Sequence, residues 1–331
     1  MSSVVFSWVV DHVHNAAAAT GAFFGSFGAF LVLGALFCVL SRPKGESSSL
    51  KGVLTAVVPP TAYRHRSSRI DYWNFALNHL FLYGTLFSLF IVSGEKVEAL
   101  LQQTFGQPAV KLPKGWIAVT AQFIVIAVAT DFGGFMQHYL LHRFQFLWRI
   151  HRCHHSAEVL TPFSTTRAHP IETLEQALVL PLFPGIATGV MLYFSGTQLS
   201  AVTVSMMAAF LFFRSFMENF RHSSMWISYG WRINHIFYCP AMHQIHHSSL
   251  ARHHDKNMGD IFSVWDWLFG TLYVPKEREV FPFGVSDEEK GQNNPHRTIG
   301  GFYVEPVVTA FKSLFGSKGP AAAEGASNHE F

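Results

Sequence analysis

Long uninterrupted apolar segments dominate the hydrophobic pattern of this chain. Residues 16–40 contain no charged side chain, and a helix of that length crosses roughly 30 Å of hydrocarbon. Further apolar segments follow at 74–93, 116–141, 174–195 and 197–217. The pattern therefore predicts an all-α integral membrane bundle with four or five spans.

The last two apolar segments leave two arrangements open. Pro181 and Pro184 interrupt the first segment, so the pair forms either two full spans or a re-entrant pair. In both arrangements the chain returns to the side from which it entered. The segment 94–115 is expected to be a polar loop on the opposite side of the membrane.

Composition and charge agree with a membrane protein. The chain is 49% hydrophobic, 15% aromatic and 14% charged, with a net charge of +3. The basic residues concentrate in the segments 42–69 and 143–167 beside the spans, so the positive-inside rule explains them better than nucleic-acid binding does. Both segments, and the histidine-rich helical cap that follows the spans, are therefore predicted to be cytoplasmic.

Three histidine motifs follow one another along the chain. Because positions i, i+3 and i+4 of a helix share one face, each motif is expected to aim its rings at one point. Imidazole is the commonest metal ligand, and zinc takes about four ligands, so eight rings indicate a two-metal centre facing a lipid. The motifs are His138-Tyr-Leu-Leu-His142, His151-Arg-Cys-His154-His155 and His243-Gln-Ile-His246-His247.

Other polar residues are candidates for the surroundings of this centre. His222 directly follows the last predicted span and is either a ninth ligand or an interfacial hydrogen-bonding residue. Asp131 precedes His138 by seven residues, so its carboxylate is expected either to orient a ligand ring or to pair with a neighbouring helix. The remaining candidates for contacts behind the ligands are His169, His254, Asp255 and Asn257.

These motifs together resemble the fatty acid hydroxylase/sterol desaturase superfamily. The resemblance covers roughly residues 71–275. It rests on HxxxH, HxxHH and HxxHH in this order, on Arg167-Ala-His169-Pro170-Ile-Glu172 between them, and on Asp255-Lys-Asn257-Met-Gly259 and Trp265-Asp266-Trp-Leu-Phe269-Gly270-Thr271 after them.

The resemblance implies a non-haem di-iron oxygenase whose clustered histidines hold two iron ions at the cytoplasmic face, with O2 as co-substrate. His222 lies where relatives often supply a further ligand. The expected activity is hydroxylation of a C–H bond of a membrane lipid, and no catalytic residue separate from the metal ligands is expected. Sterol or lipid desaturation, or C-4 methyl sterol oxidase type activity, is the alternative. Phe81, Phe87 and Phe90 are candidate walls for the lipid chain.

Electrons are expected from a separate carrier, because the sequence contains no haem-binding HPGG motif, GxGxxG loop or CxxC pair. A ferredoxin, or cytochrome b5 with its reductase, fits this requirement. Two different classes remain as rivals: a zinc metallohydrolase, with Glu158, Glu172 or Glu218 as general base, and a metal transporter or bis-histidine haem protein.

The predicted organisation has three parts. Residues 1–70 form an N-terminal span and a cytoplasmic connector, and residues 71–275 form the membrane-embedded catalytic domain. Residues 276–331 form a C-terminal extension whose tail, from Ser317, is predicted to be disordered because it lacks hydrophobic periodicity.

Overall fold

The computed structural model describes residues 3–41, 49–79, 93–285 and 295–315. The regular elements in these ranges are all helical, so the all-α prediction is confirmed. Most of the predicted second span, with Phe81, Phe87 and Phe90, lies outside the described residues. The predicted disordered tail also lies outside them.

The helices of the described ranges are labelled in chain order. They are α1 (Ser3–Leu40), α2 (Leu50–Val57), α3 (Pro60–Tyr63), α4 (Arg66–Leu77), α5 (Gly94–Phe105), α6 (Trp116–Arg143), α7 (Gln145–His155), α8 (Pro170–Val179), α9 (Leu182–Ser195), α10 (Ala201–Arg221), α11 (Trp231–Asn234), α12 (Pro240–His246), α13 (Val264–Phe269) and α14 (Ile299–Phe315). Short 3₁₀ turns cover Pro162–Thr166, Ala251–His253 and Pro295–Arg297.

Four helical segments within the described residues are long and apolar enough to cross a membrane. They are Ala17–Leu40, Trp116–Arg143, Pro170–Ser195 and Ala201–Arg221. The last begins later than predicted because Ser200 caps it, accepting a hydrogen bond from the Thr203 backbone amide at 3.0 Å. The four segments match four of the five predicted spans.

Proline divides the third of these segments into two helices. Helix α8 ends at Val179 and α9 starts at Leu182, with Pro181 at the junction. Proline has no backbone N–H and clashes with the preceding turn, so it breaks the helix at this point. The C-cap of α9 is Gly196, whose φ of +59° is the left-handed conformation that glycine adopts readily.

The segment predicted to be a polar loop is partly helical, so that prediction is wrong for residues 94–105. Glycine at two positions explains how α5 packs against α9. A Cβ atom at Gly189 would overlap the side chain of Val97, and one at Gly94 would meet Thr188 at 2.5 Å. This close approach gives a polar segment a packing partner that its own composition does not reveal.

A buried ion pair fastens three elements near the histidine motifs. Arg167 Nη1 donates to Asp71 Oδ1 at 2.7 Å, and both side chains are almost fully buried. The same guanidinium donates through Nε to the Cys153 carbonyl oxygen at 2.9 Å and lies 5.4 Å from the centre of the Phe302 ring. Arg167 therefore ties α4, α7 and α14 together.

The C-terminal extension folds back onto the histidine-bearing helix α7. Phe302 of α14 is completely buried and packs with Cys153 of α7 and Ile70 of α4. Glu305 of α14 forms an ion pair with Arg152 of α7. The described part of the extension is thus a packed component of the bundle.

Candidate metal centre

Nine histidines gather at the C-terminal ends of two candidate spans. Helix α6 contributes its last turns, His222 directly follows α10, and the short helices α7 and α12 supply the remaining rings. The ligand atoms within each of two groups lie within 4.8 Å of one another. The first group is His138, His142, His151, His155 and His246, and the second is His154, His222, His243 and His247.

The two HxxHH motifs are shared crosswise between the groups. In α7, His151 and His155 face the first group whereas His154 faces the second. In α12, His243 and His247 face the second group whereas His246 faces the first. Helical geometry explains the split, because positions i and i+4 differ by about 40° around the helix whereas i+3 lies on the other side of i, about 100° from i+4.

This division corrects the expectation that each motif aims at a single point. Each HxxHH helix lies between the two groups and gives a pair of rings to one and a single ring to the other. Rings within each group lie close together, with centroids 4.6 Å apart for His154 and His247 and for His155 and His246. The first of these pairs lies within the second group and the other within the first, and His155 and His247 bridge the groups at 4.7 Å.

Hydrogen bonds fix the outer nitrogen of four rings in the first group. In each case Nδ1 donates to a carbonyl or carboxylate oxygen, which leaves Nε2 as a base pointing inward. The acceptors are Met258 O for His138 (3.1 Å), Asp255 Oδ1 for His142 (3.2 Å), Glu172 Oε1 for His151 (2.8 Å) and Lys256 O for His246 (2.7 Å).

The inner nitrogens of the first group fit a cation. Nε2 of His138, His151 and His246 is buried and has no hydrogen-bond partner among the described residues. The Nε2 atoms of His142 and His155 lie only 3.1 Å apart. Buried nitrogen bases without donors are costly, and a metal ion bound between them would satisfy them all.

The second group converges more tightly. Nε2 of His243 lies 3.1 Å from Nε2 of His222 and 3.0 Å from Nε2 of His247. Nε2 of His154 lies 3.4 Å from that of His222. His243 Nδ1 donates to the Tyr238 hydroxyl at 3.3 Å, and that hydroxyl donates to the Asn257 carbonyl at 2.7 Å. All four rings of this group are buried.

Burial favours the neutral form of six of the grouped imidazoles outside the candidate spans. It lowers the pKa of His151 to about 3. Burial, followed by the neighbouring imidazoles, also holds several other ring pKa values well below the usual range. A neutral imidazole is the protonation state that binds a metal. The rings concerned are His154, His155, His243, His246 and His247.

A loop at residues 255–266 supports the first group from outside. Asp255 and Asn257 have positive φ angles of 55° and 59°, a conformation that Asp and Asn tolerate better than most residues. The Asp266 carboxylate accepts from the Met258 and Gly259 amides at 2.7 and 2.8 Å, and burial raises the pKa of Asp266 to about 6. The loop is thus held with its carbonyl groups toward His138 and His246.

The residues predicted to lie behind the metal ligands make different kinds of contact. Asp255 contacts His142, and Asn257 bonds the Tyr273 backbone and the Met242 carbonyl, which fixes the loop. Asp131 does not bind a ligand ring in the contacts described; its carboxylate accepts from the Ile261 amide and the Trp265 indole, both at 2.8 Å. The alternative expectation for Asp131, that it pairs with another element, is the one the geometry supports.

Two predicted outer histidines lie outside both groups. His169 caps α8, accepting from the Ile171 amide at 3.1 Å, and its other ring nitrogen donates to the Tyr303 carbonyl at 3.0 Å. It therefore joins α8 to α14. His254 is exposed to solvent. Neither histidine shares a ring contact with the two groups among the described residues.

The comparisons with known proteins agree with this geometry. The fatty acid hydroxylase family model matches residues 123–271, a range that contains all nine histidines and the supporting loop. An ornithine lipid hydroxylase of Rhizobium tropici is 29% identical over 55% of this chain and 52% of its own length. An alkylglycerol monooxygenase of Caenorhabditis elegans is 27% identical over 49% of this chain and 29% of its own length.

A third relative widens the range of activities. A Delta(7)-sterol 5(6)-desaturase of Eremothecium gossypii is 27% identical over 53% of this chain and 44% of its own length. The family match and these relatives support a relationship to the fatty acid hydroxylase/sterol desaturase superfamily. It spans about half or less of the length of these relatives. No solved structure gives a significant match.

The family match and the four long apolar helices together indicate a multi-pass membrane protein. The histidine groups that the superfamily motifs encode are able to bind metal. Their position at the ends of α6 and α10 puts them at one boundary of the predicted bundle.

One functional contact was missed from the sequence. Glu172 was considered only as a general base for a zinc enzyme, yet its carboxylate is the partner of the His151 ring. The available signal was an acidic residue in the first turn of a mostly apolar helix, within the superfamily-like motif after Pro170. The carbonyl partners supplied by Lys256 and Met258 left no signal, because any residue has a carbonyl group.

The Glu172 contact predicts a measurable loss of metal affinity. In Glu172→Gln the His151 ring loses its carboxyl partner, and affinity for iron is expected to fall by about 10- to 100-fold. Iron retained per protein chain during titration with a chelator measures the change. Glu175→Gln is the matched control, because Glu175 lies one turn further along α8 and accepts from Gln137 instead. Equal affinity in the two variants would contradict a role for Glu172 in orienting the ring.

Proposed function

We propose that this protein is a membrane di-iron oxygenase that hydroxylates a C–H bond of a lipid with O2 and electrons from an external donor. The observation that carries this proposal is the pair of adjacent all-imidazole groups, of five and four rings, with buried unpaired nitrogens pointing inward. The five rings of the first group would bind one iron ion, and the four rings of the second group would bind the other.

The number and type of ligand rings favour iron over zinc. Zinc closes with about four ligands and prefers a tetrahedral arrangement, which the five rings of the first group exceed. Imidazole suits ferrous iron, and an ion that takes about six ligands keeps open positions in both groups. A zinc metallohydrolase would also need a free carboxylate base at the centre, but Glu172 is engaged by His151 and Glu158 by Arg297.

The bound metal ions and the protein residues would make different contributions to the reaction. Two bound irons would supply the redox chemistry for activating O2. The chain holds nine rings close together, largely shields them from water, and brings them to the ends of two spans. In the net reaction one oxygen atom enters the C–H bond, and the other leaves as water after taking up two electrons from the donor and two protons from solvent.

A membrane lipid is the proposed substrate class. The relatives named as an ornithine lipid hydroxylase and an alkylglycerol monooxygenase favour hydroxylation. The sterol desaturase relative keeps desaturation, or C-4 methyl sterol oxidation, as the second candidate. A lipid reaches the groups directly because they lie where α6 and α10 end. A metal transporter would instead be expected to hold its ion near the bilayer midplane, away from the ends of the spans.

The proposed location of the centre is the cytoplasmic face, on the basis of the basic segments beside the spans. A cytoplasmic ferredoxin, or cytochrome b5 with its reductase, would then supply the electrons. Residues 71–275 remain the proposed catalytic domain, since they enclose the range matched by the family model.

Lipid analysis of whole cells tests the proposed function. A strain that expresses the wild-type protein should contain lipids with one additional oxygen atom, and the His154→Ala strain should lack them at equal membrane abundance. Loss of a pair of hydrogens instead would identify a desaturase. Unchanged lipids in both strains would contradict the proposal.

The purified protein provides the second arm of the test. Turnover is expected only when a ferredoxin or cytochrome b5 system is added, and metal analysis should find about two irons per chain. Zinc in an active preparation would favour the metallohydrolase. A Soret band would instead identify a haem protein.

A further inference from the structure

Helix α14 carries an apolar stripe of exposed side chains on one face. Val304, Val307, Val308 and Phe311 are separated by the i, i+3, i+4 and i+7 spacing of one helix face, and Leu314 extends the stripe. These side chains are between 39% and 62% exposed. Five large apolar residues on one helix face form a patch of the kind that marks an interaction surface.

The opposite face of α14 packs against the rest of the bundle. Phe302 and Ala310 are buried, and Glu305 binds Arg152 of α7 and His296, the latter at 2.9 Å. Arg152 also donates to Thr309 at 3.4 Å. The orientation of α14 is therefore fixed by specific contacts, so the apolar stripe faces outward as a consequence of this packing.

The contacts of α14 place it at the level where the spans end. Its partner α7 starts at Gln145, two residues after the candidate span α6 ends at Arg143. On its other side the Tyr303 hydroxyl donates to Asn74 of α4. A helix attached at this level lies beside the boundary between hydrocarbon and water, and its apolar face continues the lipid-facing surface of the bundle.

Charge supports the same location. The stripe contains no acidic residue, and the exposed Lys312 lies at its edge. A lysine at this place extends its ammonium group toward the headgroups while its aliphatic stem covers apolar surface. This combination of an apolar face with a flanking basic residue is typical of helices that lie in the interface.

We propose that α14 is an interfacial membrane helix, with the stripe Val304, Val307, Val308, Phe311 and Leu314 embedded in the lipid surface. Its inner face binds α7 next to His151 and His154, so the helix also fastens the histidine-bearing segment to the membrane boundary. This surface lies outside the range matched by the family model. The proposal does not depend on the identity of the metal or the reaction.

Fluorescence quenching tests the position of the stripe. Single cysteines are introduced as Val308→Cys or Phe311→Cys in a Cys38→Ser background, because the other two native cysteines are buried. The full-length protein, labelled with bimane, is reconstituted in phosphatidylcholine and phosphatidylglycerol vesicles. Quenching by nitroxide-bearing lipids is then compared with quenching by aqueous iodide.

Two further positions calibrate the measurement. Val204→Cys lies on the exposed surface of the candidate span α10, and Glu277→Cys lies in an exposed polar loop. Lipid quenching at positions 308 and 311 is expected to approach that at 204 and to exceed that at 277 by about threefold or more, since an interfacial helix buries its apolar face about 5–10 Å below the headgroups.

Other outcomes would overturn the proposal. Iodide quenching equal to that at position 277 would mean that the stripe faces water. Protection from both quenchers would mean that protein covers it, and a disulfide-linked dimer of unlabelled Val308→Cys would identify a second copy of the chain as the cover. Each result is read without any measurement of iron or turnover, so it is independent of the proposed function.

Discussion

Replacement of His243 by alanine is expected to lower lipid oxidation by more than about 100-fold, beyond the loss expected for a residue that only supports a ligand. His243 is the central ring of the second group, with Nε2 3.1 Å from that of His222 and 3.0 Å from that of His247. Its removal leaves three rings for one ion. Iron per purified chain is therefore expected to fall from about two to about one.

His235→Ala is the control for this variant. His235 follows α11 and lies outside both groups, and its ring donates to the Trp231 carbonyl at 2.7 Å. The same substitution at this position should preserve iron content and product. If His243→Ala retained full metal and full activity, the second histidine group would have no part in the reaction.

Asp71→Ala is expected to destabilise the protein by about 3–5 kcal/mol, because it leaves the Arg167 guanidinium buried without a counter-ion. Arg167 cannot lose its charge in compensation. It also contacts α7 and α14, so the loss should spread to the histidine-bearing helix. Chemical unfolding in detergent, followed by helix content, measures the change in free energy of unfolding.

The double variant Asp71→Ala/Arg167→Met separates the lost pair from the unpaired charge. If the buried charge causes the damage, the double variant should be more stable than Asp71→Ala alone. Glu279→Ala is the surface comparison, because its partner Arg252 is exposed and solvent screens such a pair, so a smaller loss than for Asp71→Ala is expected there. A comparable loss for Asp71→Ala would contradict the assigned role of the buried pair.

Much of the fold followed from the hydrophobic pattern. The predicted span 116–141 differs from Trp116–Arg143 by two residues at one end, because length and apolarity alone decide whether a helix crosses a bilayer. Helix α5 was missed because its residues are polar, and its stability depends on the close contact of Gly94 and Gly189 with the facing helix. Such a contact involves residues about ninety positions apart in the sequence and leaves no local pattern.

The candidate site shows the same limit. The HxxxH and HxxHH motifs identified eight of the nine grouped histidines, and the position of His222 after a span suggested the ninth. The assignment of His154 and His246 to opposite groups could not be predicted, because the spacing within a motif does not say where the second helix lies. Asp131 was considered as a partner of a ligand ring because it precedes His138 by seven residues on α6. Its carboxylate instead accepts from the Trp265 indole.

The crosswise sharing of the two HxxHH helices has a consequence for how the protein acquires its metal. Neither α7 nor α12 alone carries a full set for either position, and each ion would be enclosed only after both have come together. A nascent chain whose cap has not yet docked would hold iron weakly, and the first ion captured would organise half of the ligands for its neighbour. Maturation of the centre would then coincide with the last step of tertiary assembly, which protects the cell from loosely held, redox-active iron.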